Sequence, residues 1–409
     1  MRNLRIFLTF AIVPPFALLA ACGGGSSSSS STPPNTITTT GTNVAPIVVN
    51  SGPAASEGFP YANGAFANVT VCVPGTSTCQ TIDGVLVDTG SSGLRIISSA
   101  LSLSLPQQEA SDGNPVVECL PFVDSYTWGP VQTADVQIAG EKAASVPIQV
   151  LSDTDFTTPT TCSQGFPSAD TLTTLGANGI LGVGLAAQDC GSACAQTGTS
   201  NPGLYYECPS SSCATSGAVI GEALAQQVIN PVALFTTDNN GVIIELPAVA
   251  GAAATVSGSL VFGIGTQSNN ALGSAAVYTA PNGTFTTTYK SQTYTGSFID
   301  SGSNGYYFPD SSIPVCSDNP GFYCPSSTEN LSAMNQAGGA SSTVDFSVAN
   351  ADALFANESD NAFEDLGGPT SASAPNYFDW GLPFLYGRNV FTAIEGMSTP
   401  GGTGPFWAY

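Results

Sequence analysis

The chain has 409 residues, with 29 Asp and Glu against six Lys and Arg, no His, 45 Gly, 29 Pro and 11 Cys. Without imidazole, Ser-His-Asp and Cys-His catalysis, His-ligated zinc and His proton shuttles are excluded within this chain, so acid–base chemistry falls to carboxylates, Tyr, Lys or Cys. A formal charge of -23 argues against a nucleic-acid partner, because six basic residues cannot supply the footprint that a phosphate backbone needs.

At the N-terminus, Met1-Arg2-Asn3-Leu4-Arg5 is basic, and the apolar stretch Ile6 to Ala21 is broken by Pro14-Pro15. It is too short and too interrupted for a spanning helix and reads as an export signal over residues 1–21. Leu19-Ala20-Ala21-Cys22 resembles the lipobox of bacterial lipoproteins. That resemblance implies a lipid on Cys22 and, because Gly23 is not Asp, anchoring to the outer membrane. An ordinary cleaved signal is the alternative, and both readings export the chain. Residues 22–43 are rich in Gly, Ser and Thr and are expected to form a disordered tether.

The remainder is expected to fold. Only 9% of residues are charged and 42% are hydrophobic, which excludes a charge-laced helical bundle, and many short apolar runs favour a β-rich protein. Ten cysteines remain after Cys22: Cys72, Cys79, Cys119, Cys162, Cys190, Cys194, Cys208, Cys213, Cys316 and Cys324. An even set in an oxidising compartment reads as disulfides. Cys72 with Cys79 and Cys316 with Cys324 bracket Pro-Gly loops and read as local staples. Cys119 with Cys162 and the connectivity of the other four stay open. No metal site is expected, since there is no His and no paired C-x-x-C spacing.

The chemistry lies in an internal repeat. Gly84-Val85-Leu86-Val87-Asp88-Thr89-Gly90-Ser91-Ser92-Gly93 matches Gly296-Ser297-Phe298-Ile299-Asp300-Ser301-Gly302-Ser303-Asn304-Gly305. In each copy an apolar strand runs into Asp, a hydroxyl residue, Gly and Ser. Two carboxylates brought into contact cannot both ionise, so they share one proton and titrate as a unit. One can then act as general base on water while the other donates to a carbonyl oxygen. Gly90 and Gly302 would let the loops approach without Cβ clashes. Ser91 and Ser303 are placed to bond the carboxyls, and Thr89 and Ser301 to bond across to the opposing loop.

With these motifs the chain resembles the pepsin-like aspartic proteases. Asn178-Gly179-Ile180-Leu181-Gly182 and Asp379-Trp380-Gly381 resemble the apolar-apolar-Gly segments that cross behind each Asp loop, with Trp380 in place of a small aliphatic. Val261-Phe262-Gly263-Ile264-Gly265 resembles the strand that opens the second lobe. The resemblance implies a mainly β, bilobal double β-barrel with the active cleft between a lobe at 44–254 and a lobe at 255–409, and catalysis by Asp88 and Asp300. It departs from the family at the flap: Phe122 stands where a Tyr is expected, and Arg95 where an aromatic supports it. Phe122, Tyr126 and Trp128 are the expected flap and cleft residues. The chain also resembles, over nearly its full length, an uncharacterised family of proteobacterial lipoproteins, which adds no activity.

The function expected is a lipid-anchored aspartic endopeptidase of the cell envelope, working as a monomer on peptide or protein substrates. It is expected to need no cofactor, to bind no nucleic acid and to touch the membrane only through its lipid. The rival from another class is a non-catalytic binding lipoprotein on the same fold, which would have no reason to keep both Asp-hydroxyl-Gly-Ser sets.

Overall fold

The computed structural model describes residues 35–152, 155–209, 213–370 and 376–409. The signal segment and the lipidation site at Cys22 lie outside the described residues. Among the described residues, no helix is long and apolar enough to cross a membrane.

Six strands close a first barrel. Gly64–Cys72 pairs with Cys79–Asp88, which pairs with Gly179–Val183, and the circuit runs on through Ser92–Ile97, Glu141–Leu151 and Tyr126–Ile138 back to Gly64–Cys72. A second set of seven strands follows the order Ala340–Val348, Glu329–Ala337, Phe285–Tyr289, Gln292–Ile299, Asp379–Trp380, Tyr306–Tyr307 and Gly367–Gly368, a nearly closed barrel. This is the bilobal pepsin-like double β-barrel that the sequence leads one to expect.

Between the barrels, Val44–Asn50 pairs with Val256–Phe262, followed by Gly241–Leu246, Arg388–Ala393 and Phe406–Ala408. Strands from both sides of residue 254 therefore interleave in one shared sheet. The expectation of a disordered tether up to residue 43 needs correction for its last residues. Asn35 donates to Leu246 O and Arg388 O at 2.8 and 3.0 Å, and Ser259 Oγ donates to Thr38 O. Backbone carbonyls and the Ser259 side chain on the shared sheet supply the partners that the tether's composition does not reveal.

Each barrel builds its Asp loop in the same way. The strand Cys79–Asp88 leads into the loop, Ser92–Ile97 leaves it, and Gly179–Val183 slots between them, parallel to the first and antiparallel to the second. Gln292–Ile299, Tyr306–Tyr307 and Asp379–Trp380 repeat that arrangement. The inserted strand has to end on Gly, because a Cβ at Gly182 would meet the Gly93 backbone nitrogen at 2.9 Å and one at Gly381 would meet Gly305 O at 2.1 Å. Trp380, fully buried, fills the second barrel by stacking on Phe378 at 4.3 Å, which explains the large ring where a small aliphatic is usual.

All ten remaining cysteines pair: Cys72–Cys79, Cys119–Cys162, Cys190–Cys194, Cys208–Cys213 and Cys316–Cys324. The lobes are also pinned by Asn63, whose φ of 53° is one that Asn tolerates better than most residues. Its side chain donates to Asn304 O and Phe363 O and accepts from Phe363 N and the Tyr386 hydroxyl, all within 2.9 Å. Removing it strands several buried polar groups at once. Asn63→Ala is expected to cost about 3 kcal/mol of stability in urea unfolding, whereas a loss within about 0.5 kcal/mol would show that the clamp is dispensable.

Candidate active site

The two Asp loops meet between the barrels, and a reciprocal lattice holds them. Thr89 N donates to Ser301 Oγ at 3.1 Å, and Ser301 N donates to Thr89 Oγ1 at 2.9 Å. Each hydroxyl then passes its own proton back across the interface, Thr89 Oγ1 to Ile299 O and Ser301 Oγ to Val87 O. Every donor and acceptor at this junction has a partner in the opposite lobe, so the loops are fixed in register.

This register brings the Asp88 and Asp300 carboxyls together around one backbone amide. Gly90 N donates to Asp88 Oδ1 at 2.7 Å and reaches Asp300 Oδ1 at 3.1 Å, while Gly302 N donates to Asp300 Oδ1 at 2.8 Å. Ser91 Oγ donates to Asp88 Oδ2, and Ser303 Oγ lies 2.8 Å from Asp300 Oδ2. Gly90 has no room for a side chain: a Cβ there would sit 2.6 Å from Asp300 Cγ.

Both carboxyls are completely buried. Burial pushes Asp300 well above the usual carboxylate range, and the charges of Asp88 and Asp379 add to the rise. Burial raises Asp88 too, but bonds from Asp300, Ser91 and Gly90, together with the field of Arg95, offset part of it. A buried pair of this kind holds one proton between its two carboxyls. Such a pair offers one base and one acid about a single point.

The expected cleft residues are corrected by their burial. Trp128 packs edge-on against Tyr206 at 5.5 Å and donates its indole N–H to Phe156 O, in a cluster with Tyr126 and the cystines Cys119–Cys162 and Cys208–Cys213. Phe122 is buried with Phe66, Leu86 and Leu120. Tyr126 and Trp128 lie on the strand Tyr126–Ile138, whose inner face is closed by disulfide-linked segments, and Phe122 follows the end of Val116–Pro121; sequence alone assigns all three to an open hairpin. What reaches toward the second lobe from the hairpin tip is Val123, which packs against the cluster that holds Ala62, Tyr307, Phe322 and Phe363.

Arg95 is fully buried and bonds Glu118 at 3.0 Å, Asp189 at 2.9 Å, Gln149 and the Ser92 carbonyl. Tyr205 donates to Asp189 and accepts from Val228 N. Burial, with Glu118 beside it, pushes Asp189 well up, and one guanidinium bonds both carboxyls. Since Glu118 lies on the outgoing hairpin strand Val116–Pro121, this network ties the base of the hairpin to the strand that leaves the first Asp loop. Sequence reasoning missed Glu118, Asp189, Asn63 and the buried Asp379. The signal available was a carboxylate inside an apolar-apolar-Gly segment, and an Arg inside an apolar strand.

For metals, the described residues bring three candidate ligand atoms together at Cys316, Cys324 and Asp352. Both sulfurs there are joined in a disulfide and supply no thiolate. An open concavity in the second barrel is lined by Tyr306, Phe346, Glu364, Tyr386 and Arg388, and by neither Asp loop.

The family described as "Protein of unknown function (DUF3443)" matches residues 39–409. The chain belongs to this family. No curated protein matches it. Among solved structures, the crystal structure of aspartic proteinase from Irpex lacteus is similar, at 15% identity and a TM-score of 0.48, over 89% of this chain and 96% of that one.

The buried carboxyls set the direction of pH dependence for this DUF3443 protein. Asp300, Asp379 and Asp189 are raised in the folded state, and burial pushes Glu222 up to about 7. Above the unfolded carboxylate range, near pH 4, the folded chain binds more protons than the unfolded one, so stability falls as pH rises through the raised values. Unfolding free energy is expected to decline from about pH 4.5 to 8, by about 1.4 kcal/mol per unit for each extra proton held. Urea titrations across that range check it, and stability that rises with pH would refute it.

Proposed function

We propose that the chain is an aspartic-type endopeptidase. The observation that carries this reading is the buried pair Asp88 and Asp300, with a Ser on each carboxyl and the Gly90 amide reaching both. A water bound at the pair gives its proton to ionised Asp88 as its oxygen attacks the peptide carbonyl, while Asp300 gives its proton to the carbonyl oxygen. The tetrahedral diol then returns a hydroxyl proton to Asp300, and the proton held by Asp88 passes to the leaving nitrogen. The C–N bond breaks, releasing acid and amine with the pair restored. No step calls for a nucleophilic side chain or a cofactor, in keeping with a chain that has no His.

The buried pair needs an entry path, and the hairpin is the element that can provide it. Val123 packs on the second lobe, so substrate admission requires the tip to lift. This closed hairpin is also the observation that favours the second reading, a binding lipoprotein without turnover. On either reading the proposed setting is the cell envelope, with a monomer tethered through lipid on Cys22 and facing peptide or protein.

Digestion of a peptide library between pH 3 and 8, in which general acid–base pairs contribute about 10²–10⁴ in rate, tests the proposal. Wild type is expected to cleave, and Asp88→Asn and Asp300→Asn are each expected to lose at least about a hundredfold. Cleavage that persists in either variant excludes the pair, and its absence at every pH favours the binding role.

A further inference from the structure

The two barrels repeat one loop, so the places where they differ show what one lobe has that the other lacks. Leu86 pairs in register with Ile180, and its counterpart Phe298 pairs with Asp379. Asp379 thus occupies the position that Ile180 holds in the first barrel. Both are completely buried. An ionisable group stands where the duplicate carries hydrocarbon, at a cost that an unpaired carboxylate could not meet.

The compensation is visible at Ser303. In the first barrel Ser91 Oγ donates to Asp88 Oδ2. In the second, Ser303 Oγ lies 2.8 Å from Asp300 Oδ2 and 2.6 Å from Asp379 Oδ2. A hydroxyl carries one proton and can donate to only one of these carboxyls; the other contact needs a carboxyl that donates to the hydroxyl oxygen. The line Asp88, Asp300, Ser303, Asp379 therefore has three hydrogen bonds, one of them supplied by serine. Two of the three carboxyls hold protons, leaving a single negative charge for the whole set.

We propose that Asp379 is a positioning residue for the Asp pair: a third carboxylic acid that donates to Ser303 Oγ, turns that hydroxyl toward Asp300, and keeps the shared proton on the pair as pH rises. Its bearing on hydrolysis rests on the peptidase reading, but its protonation does not. The titratable groups around it are Asp300 and Asp88 across the loops and Tyr307, opposite it in the strand pairing. Arg95 is the cation whose field reaches the pair, and it acts on Asp88. Burial pushes Asp379 well up, partly offset by Ser303 and reinforced by Asp88. The lone Asp379 Oδ1, buried and without a hydrogen-bond partner among the described residues, fits a neutral acid better than an anion.

The test is a carboxyl-carbon NMR titration of the full chain labelled at aspartate, in wild type, Asp379→Asn and Ser303→Ala. The resonance lost in Asp379→Asn is expected to remain in its protonated position at about pH 6, well above the ordinary aspartate range. In Asp379→Asn the Asp300 midpoint is expected to fall by about one pH unit, since the negative charge that Asp379 acquires when it ionises no longer opposes loss of the pair's proton. The basic limb of the peptide-cleavage profile should move with it, which a merely structural role would not produce. Asp379→Ile, which copies the first barrel, replaces Asp379→Asn if that variant does not fold, and Ser303→Ala, which removes the bond that lowers Asp300, should move the Asp300 midpoint upward with Asp379 in place. An Asp379 that titrates near pH 4, or an Asp300 midpoint that does not move, overturns the proposal. A wild type that cleaves nothing overturns the peptidase reading instead, and the titration still decides Asp379.

Discussion

Two carboxyls removed from water can lie in contact only if they hold a proton between them, because a pair of bare carboxylates in a low-dielectric site would repel by far more than the fold could supply. The structure around Asp88 and Asp300 follows from that requirement. The loops need the same geometry on both sides, which duplicated strand–loop–strand units provide. They need contact without side chains, which Gly90 provides. They also need a register that does not slip, which the reciprocal Thr89 and Ser301 bonds provide.

Further out, the chain repeatedly places polar groups inside and gathers them into networks. Asn63 ties the first lobe to the second through four hydrogen bonds, and Arg95 gathers Glu118 and Asp189 below the hairpin. Buried ionic networks add little net stability over a well-packed apolar core, but breaking one partner costs several kcal/mol. In this molecule they fix the Asp loop and the hairpin base relative to each other, which is the geometry on which a shared proton depends. The central sheet does the same at larger scale, since strands from both ends of the chain cross it.

Much of this was legible in the sequence where the same chemistry is written twice. The repeat around Asp88 and Asp300, and the Gly-terminated segments at Gly182 and Gly381, mark the double barrel because each copy makes the other improbable as chance. Cysteine pairs that bracket short loops could be read from spacing. The four cysteines from Cys190 to Cys213 could not, since four allow three connectivities and only the fold selects Cys190–Cys194 and Cys208–Cys213. Trp128 misled for a related reason: its burial comes from Tyr206 and the cystines, which are distant in sequence. Asn63, Glu118 and Asp189 likewise acquire their meaning from partners up to 323 positions away. Local pattern carries no record of such contacts.

In the proposed mechanism one proton lies between Asp88 and Asp300 and resides on Asp300. Neutron diffraction from a deuterated crystal grown near neutral pH measures this directly. A single deuteron is expected between the two carboxyls, bonded to an Asp300 oxygen and pointing at Asp88, with deuterated Ser91 aimed at Asp88 Oδ2. Two bare carboxylates, or a deuteron on each, would contradict it.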